Sequence, residues 1–159
     1  MTLCKTFIAS AALLLSSSAL VSCSDDNKDD KPSTPAAKEI AGTYKGDMTC
    51  TVMGSESTFE DMTFTVAATD EATASMTISS FGNPPMLVPE VTVNGIKVTG
   101  EDGSYTLAPT EFAGTTADGK NYSGTAQGDY ADGTLSVKFS LNYGAMPMPM
   151  ICSFSAPKE

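Results

Sequence analysis

Cysteine has the most distinctive chemistry in this sequence, and four cysteines are present. Cys4 and Cys23 lie near the two ends of an apolar run at the amino terminus, whereas Cys50 and Cys152 lie in segments where apolar and polar residues alternate. A reactive thiol needs exposure and an electropositive setting. Because Cys50 and Cys152 are predicted to point inward and the chain has no arginine or histidine, we expect a structural rather than a redox role for them.

Acidic side chains are the remaining candidates for catalysis, since histidine, the most frequent general acid or base, is absent. Asp47, Glu60, Asp61 and Asp129 fall on predicted polar faces or near turns. The carboxylate pair of a glycosidase depends on a distance that only the folded chain sets. We therefore expect no enzyme activity, no metal and no cofactor, with a carboxylate-based hydrolase as the residual alternative.

The charge balance excludes one class of partner. Lysine and arginine together number 9, aspartate and glutamate 19, and the net charge is −10. Nucleic-acid phosphates are bound through clustered Lys and Arg, which release counterions. The lysines here are scattered singly among carboxylates, so we expect no nucleic-acid partner.

The amino terminus has the layout of a secretory signal. Lys5 precedes an apolar segment at residues 7–21, which is too short to span a membrane, and small residues follow. Leu20-Val21-Ser22-Cys23 resembles the lipobox of bacterial lipoproteins. The resemblance implies that residues 1–22 are removed and that Cys23 carries lipid, which anchors the chain in a membrane. An ordinary signal peptide with an incidental cysteine is the alternative.

Residues 23–39 form the next segment, which is acidic and lacks apolar periodicity. Its composition of Asp, Lys, Pro, Ser and Ala predicts a flexible tether. The run of Asp after Cys23 also resembles the acidic export tag of some Gram-negative lipoproteins, which implies an outer-membrane lipoprotein. A merely solvated tether has the same composition, so exposure at the cell surface stays open.

Residues 40–159 are predicted to be an all-β domain. Short runs of Thr, Val, Ile, Phe and Tyr alternate with turns of Gly, Asp, Asn and Pro. Ten strands are predicted, at residues 40–53, 58–68, 73–80, 86–93, 96–99, 105–108, 112–116, 122–129, 134–142 and 148–155. Antiparallel strands with one apolar face and short turns close most simply into an up-and-down barrel of eight to ten strands, with a β-sandwich as the alternative.

Two hairpins follow from turn chemistry. Asn94-Gly95 predicts a two-residue turn that pairs Val93 with Ile96. Asp132-Gly133 predicts another, in which the inward glycines of one strand face the bulky residues of the next and every outward residue is polar. A polar outer face is not that of a membrane-spanning barrel.

The domain resembles the calycin-like β-barrel lipoproteins, a group related in fold to the lipocalins. The resemblance rests on AGTYKG at residues 41–46, on the pair of strands around residues 128–141, and on GAMP at residues 144–147. Gly42-x-Tyr44 stands where lipocalins carry Gly-x-Trp, and the arginine that packs on that Trp has no counterpart here. The resemblance implies a single calycin-like barrel and, by analogy, ligand binding.

The first and last strands of a closed barrel are antiparallel neighbours, and Cys50 and Cys152 lie in these two strands. In an oxidising cell envelope the two side chains are predicted to form a disulfide. Two buried thiols are the alternative.

Two apolar loops contain the candidate binding residues, and strand counting puts both loops at the barrel mouth farthest from the anchor. The candidates are Phe81, Pro85, Met86, Leu87, Met146 and Met148. We expect this mouth to receive a small apolar ligand, because Met adapts its shape and barrel mouths are common ligand sites. Two alternatives stay open: the side chains plug the barrel, or the closed barrel serves as an interaction module for an envelope protein.

Met146-x-Met148-x-Met150 also resembles thioether sites for Cu(I). Alternate residues of a strand share one face, so a packing stripe is favoured and no metal site is predicted here.

Overall fold

The computed structural model describes residues 34–159, which form one short helix and eight strands. The predicted signal peptide, Cys23 and most of the predicted tether lie outside the described residues. In chain order the elements are α1 (Ala36–Ile40), β1 (Gly42–Val52), β2 (Ser55–Ala68), β3 (Thr73–Ile78), β4 (Val91–Glu101), β5 (Ser104–Thr115), β6 (Asn121–Ala131), β7 (Thr134–Tyr143) and β8 (Met150–Pro157).

The strands form a closed antiparallel barrel. Each strand pairs with the next, and β1 pairs with β8. The predicted up-and-down barrel is therefore confirmed with eight strands, and the sandwich alternative is wrong. Pairing runs all the way round the barrel, although the β1–β8 ladder covers only Met48–Thr51 of β1 and the β4–β5 ladder only Val98–Glu101 of β4. We call the end that carries the β1–β2, β3–β4, β5–β6 and β7–β8 connections the upper end, and the opposite end, where α1 lies, the lower end.

The predicted Asn94-Gly95 hairpin is wrong, because β4 runs through both residues without turning. Along β3 and β4 the register changes from Met76 opposite Val93 to Ala74 opposite Ile96, so one extra residue is accommodated in β4. Gly95 has φ 75°, the left-handed conformation of a bulge glycine. Because of the bulge, the residues on both sides of it point into the barrel, and Val93 and Ile96 are both buried.

Other strand boundaries differ from the prediction where proline or a helix intervenes. Residues 105–108 and 112–116 belong to the one strand β5, whose register shifts between Leu107 and Thr110 around Pro109. Residues 86–90 lie in a loop, and β8 begins at Met150 because Pro147 and Pro149 lack the N–H that a sheet ladder needs. Ile40 ends α1 rather than beginning the first strand.

The predicted Asp132-Gly133 hairpin is confirmed. Both residues have positive φ, 51° and 82°, as a type I′ turn requires. The register pairs Gly124 with Leu141 and continues to the turn as predicted. A Cβ at Gly124 would collide with the carbonyl oxygen of Ser140, so the close approach of β6 and β7 requires glycine there.

Side chains fill the barrel interior. Phe64 stacks on Phe154 with 3.8 Å between ring centroids and 7° between planes, and Phe139 packs against Phe64 at 6.2 Å. Among the described residues no polar or charged residue is buried. An eight-stranded barrel is just wide enough for its own side chains to occupy the centre, as they do here.

The lower end is closed by α1. Ala37 and Ile40 are fully buried, and the Tyr44 hydroxyl donates a hydrogen bond to the Ile40 carbonyl oxygen at 2.5 Å. Burial raises the pKa of Tyr44 above its ordinary value, because the phenolate would lose its hydration, and nearby Tyr130 adds to the rise. The Lys158 ammonium donates to the Glu39 carbonyl oxygen at 3.0 Å. A candidate site must therefore be sought at the upper end or on the outer face.

Candidate functional site

The β3–β4 loop, residues 79–90, folds back on itself at the upper end. Phe81 and Val88 exchange two backbone hydrogen bonds, at 3.0 and 2.8 Å, and both side chains are buried. This bridge holds the loop tip, residues 82–87, beside the barrel mouth. The Phe81 ring packs against Phe59 of β2 with 5.4 Å between centroids.

The β7–β8 loop, residues 144–149, supplies the opposite wall. The Met146 amide donates to the Tyr143 carbonyl oxygen at 3.3 Å, and the Met146 side chain packs against the core. Met148, two residues on, is 48% exposed. The three methionines at positions 146, 148 and 150 therefore do not share one face, and the predicted packing stripe is wrong because the segment is a loop up to Met150.

A cleft of about 500 Å³ lies between these loops and the β1–β2 hairpin. Its volume falls within the range typical of small-molecule sites. Its walls are mostly apolar, with a few short polar side chains. The lining residues are Cys50, Val52, Ser55, Ser57, Thr58, Phe59, Phe81, Gly82, Asn83, Met86, Met146 and Met150. We call this the mouth cleft.

The structure brings together half of the predicted binding residues. Phe81, Met86 and Met146 line the mouth cleft, although they are far apart in the sequence. Pro85, Leu87 and Met148 belong to the same two loops but do not line it. Leu87 and Met148 instead point to solvent, at 45% and 48% exposure.

Nine of the twelve lining residues were absent from the predicted binding site, and besides Cys50 three of these nine are apolar: Val52, Phe59 and Met150. The sequence does not identify Phe59 as an inward residue, because it is three residues rather than two from the next inward residue, Met62. The register of β1 and β2 shifts between Gly46 and Met48, and Asp61 has φ 57°, so a bulge takes up the extra residue. An odd spacing between apolar residues around a polar pair is the signal that could have revealed Phe59.

A disulfide lies at the base of the mouth cleft. Cys50 and Cys152 are direct partners in the β1–β8 ladder, and their sulfur atoms are bonded, with 4.0 Å between Cα atoms. Cys50 lines the cleft, but its sulfur is a disulfide sulfur and offers no thiolate. The ladder at this seam is short, running from Met48 to Thr51 on β1, so the disulfide reinforces the contact that closes the barrel.

A second cleft of about 390 Å³ adjoins the first, between β2 and the start of the β3–β4 loop. The two share Thr58, Phe59, Phe81, Gly82 and Asn83, so they meet at the Phe59–Phe81 ring pair. Glu60 lines the second cleft and is exposed. We call this the side cleft.

Two of the other predicted carboxylates line neither the mouth cleft nor the side cleft. Asp47 and Asp129 line a groove of about 600 Å³ on the outer face of the barrel, together with Lys138. Serine and threonine hydroxyls cover much of this groove, and Ser136 and Ser155 share a hydrogen bond of 2.9 Å.

Within residues 34–159 no group of three His, Cys, Asp or Glu side chains is placed to hold a metal ion. In the same residues no helix is long and apolar enough to cross a membrane.

Comparison with known proteins gives one family and one similar structure. The model of a family described as a calycin-like beta-barrel domain matches residues 40–156. The crystal structure of a candidate outer membrane protein from Bacteroides fragilis is similar, with a TM-score of 0.68 at 20% identity. The likeness covers 79% of this chain and 53% of that one, so this chain spans about half of that protein's length. No curated protein matches the chain.

Proposed function

This chain belongs to the calycin-like β-barrel domain family, and from that premise we propose that it is a lipid-anchored protein of the cell envelope whose barrel mouth binds a small apolar ligand without catalysing a reaction. The observation that carries the proposal is the mouth cleft, which joins Phe81, Met86 and Met146 in one apolar space of about 500 Å³. Met side chains suit such a site because they adapt to ligands of different shape.

Three features support the location in the envelope. Leu20-Val21-Ser22-Cys23 resembles a lipobox, and the disulfide between Cys50 and Cys152 is of the kind that persists in oxidising compartments. The similar Bacteroides fragilis protein is described as a candidate outer membrane protein. Metabolic labelling with an alkyne fatty acid tests the anchor: we expect Cys23→Ser to abolish labelling, and persistent labelling of that variant would contradict it.

The ligand proposal is tested with N-phenylnaphthylamine, a neutral apolar probe whose fluorescence rises in an apolar site. We expect the lipid-free mature protein to bind it saturably at one site. Met146→Ser should weaken binding about ten-fold, which corresponds to about 1.4 kcal/mol, since the probe loses contact with one apolar side chain.

The chain offers a matched control in the same loop. Met148 is exposed and does not line the mouth cleft, so Met148→Ser should leave probe affinity unchanged. Equal affinities of wild type, Met146→Ser and Met148→Ser would refute binding in the mouth cleft.

One observation favours a second candidate function, an interaction module for an envelope protein. The large apolar side chains that are exposed in residues 34–159 all lie in the connections at the upper end or at the start of β8, which begins there. They are Met53, Met86, Leu87, Met148 and Ile151. A rim of this kind suits contact with another protein surface. Absence of saturable probe binding, together with a well-folded barrel, would favour this second candidate over the first.

A further inference from the structure

The charged groups around the mouth cleft are distributed unequally. Residues 34–159 contain six lysines, and none of them lines the mouth cleft or the side cleft. Lys120 is in the β5–β6 connection at the upper end, but its ammonium lies 5.5 Å above the Tyr143 ring, outside both clefts. A ligand in these clefts therefore meets no ammonium group from residues 34–159.

Carboxylates, by contrast, line the side cleft or are next in sequence to residues that line the mouth cleft. Glu60 lines the side cleft, and Glu56 lies between two residues, Ser55 and Ser57, that line the mouth cleft. Both glutamates are exposed. An anionic headgroup placed in the side cleft would therefore be repelled by Glu60.

The junction also carries aromatic rings. Phe59 and Phe81 line both clefts, with their ring planes at 60° to each other. The face of an aromatic ring attracts a cation within about 6 Å of its centroid. Two rings and one carboxylate at the edge of an apolar cleft together favour a positively charged group over a neutral or negative one.

We propose that the ligand of the mouth cleft is an organic cation with an apolar body, an amine or quaternary ammonium compound, whose apolar part fills the mouth cleft while its charged group lies in the side cleft beside Glu60. This inference rests on the proposed function and specifies the chemical class of its ligand. The apolar part contacts Phe81, Met86, Met146 and Met150, and the cationic group contacts the face of the Phe59 ring and the Glu60 carboxylate.

The experiment compares three amphiphiles with one decyl tail and different headgroups, each titrated calorimetrically below its micellar concentration into the lipid-free mature protein. We expect decyltrimethylammonium to bind about five-fold tighter than decyl maltoside, and decyl sulfate to bind weakest. The preference for the cation should shrink at high salt, because Glu60 is exposed and its field is screened.

Substitutions then separate local recognition from the general attraction of an acidic protein for cations. Glu60→Gln should weaken decyltrimethylammonium binding about three-fold and leave decyl maltoside unchanged. Glu101→Gln, at the lower end of β4, removes the same charge and should change neither affinity.

The outcomes distinguish this inference from the proposed function. If decyl maltoside binds as tightly as the cation and Met146→Ser weakens it, the mouth cleft binds apolar ligands but the preference for a cation is wrong. If Glu60→Gln and Glu101→Gln weaken the cation equally, the attraction is nonspecific and the inference is wrong. If none of the three amphiphiles binds, both the inference and the proposed function are wrong.

Discussion

Removing the disulfide between Cys50 and Cys152 should destabilise the barrel more than any other conservative change, because this bond joins the first strand to the last. The two residues are 102 positions apart, so the cross-link restricts almost the whole unfolded domain. Chain-entropy estimates for a closed loop of this length give a stabilisation of about 4 to 5 kcal/mol. The double variant Cys50→Ala/Cys152→Ala should lose this amount from its free energy of unfolding.

For a domain of this size a loss of 1 kcal/mol lowers Tm by about 4 °C, so the double variant should melt roughly 15 to 20 °C below wild type. The assay is thermal unfolding followed by circular dichroism, combined with urea unfolding at a fixed temperature. Each single variant should melt close to the double variant, because either substitution breaks the same bond.

Reduction supplies an independent control on the same interaction. A thiol reductant strong enough to open the bond in the wild type should lower its Tm toward that of the double variant and leave the double variant unchanged. If the double variant melts within about 5 °C of oxidised wild type, the disulfide is not the main stabiliser of this seam, since the ladder between β1 and β8 would then close the barrel without it.

Four further predictions concern Tyr44, Gly124 and Gly95 of the scaffold. Folding raises the pKa of Tyr44 above its ordinary value of 10.0, so the folded state holds the phenol proton more tightly than the unfolded state. The resulting contribution to the free energy of unfolding is fully present below pH 10 and is lost as the pH rises further. Phenolate absorbance should show that Tyr44 ionises as the chain unfolds. Tyr44→Phe should lower the free energy of unfolding at neutral pH by about 1 kcal/mol through the lost hydrogen bond, and should weaken the alkaline dependence. Gly124→Ala should cost roughly 2 kcal/mol or more in urea unfolding because its Cβ meets the Ser140 carbonyl oxygen, and a stability equal to wild type would show that β6 and β7 can separate locally. Gly95→Ala should cost about 1 kcal/mol, since φ is 75° there, and no loss would argue against the bulge in β4.

The β6–β7 hairpin could be predicted from the sequence because two independent signals agree. Asp132-Gly133 favours a type I′ turn, and the inward and outward residues on both sides of it match in register. The whole register from the turn to Gly124 and Leu141 followed from these local facts.

The Asn94-Gly95 segment shows why the same signals can mislead. Apolar residues spaced by two, then by three across Asn-Gly, then by two, are compatible with a hairpin and also with a bulge in a straight strand. Both arrangements place Val93 and Ile96 on the inner face. The choice depends on the partner strand, since β3 pairs with both halves of β4, and that is tertiary information.

The candidate site could be predicted only in part, for a related reason. Strand counting is sufficient to bring the β3–β4 and β7–β8 loops to one end, and Phe81 and Met146 do line one cleft. Which side chain of each loop faces inward depends on local hydrogen bonds, such as those between Phe81 and Val88. Leu87 and Met148 are as apolar as their neighbours, yet they point to solvent.

Methyl NMR of the methionines tests binding in the mouth cleft most directly, because methionines lie both in the cleft and away from it. On titration with N-phenylnaphthylamine, we expect saturable shifts of the Met86, Met146 and Met150 methyl signals, which belong to the cleft lining. The signals of Met76, buried in the barrel wall, and of Met148, exposed beside the cleft, should move little. Shifts confined to Met148, or no saturable shift at any cleft methionine, would show that the mouth cleft does not bind the probe.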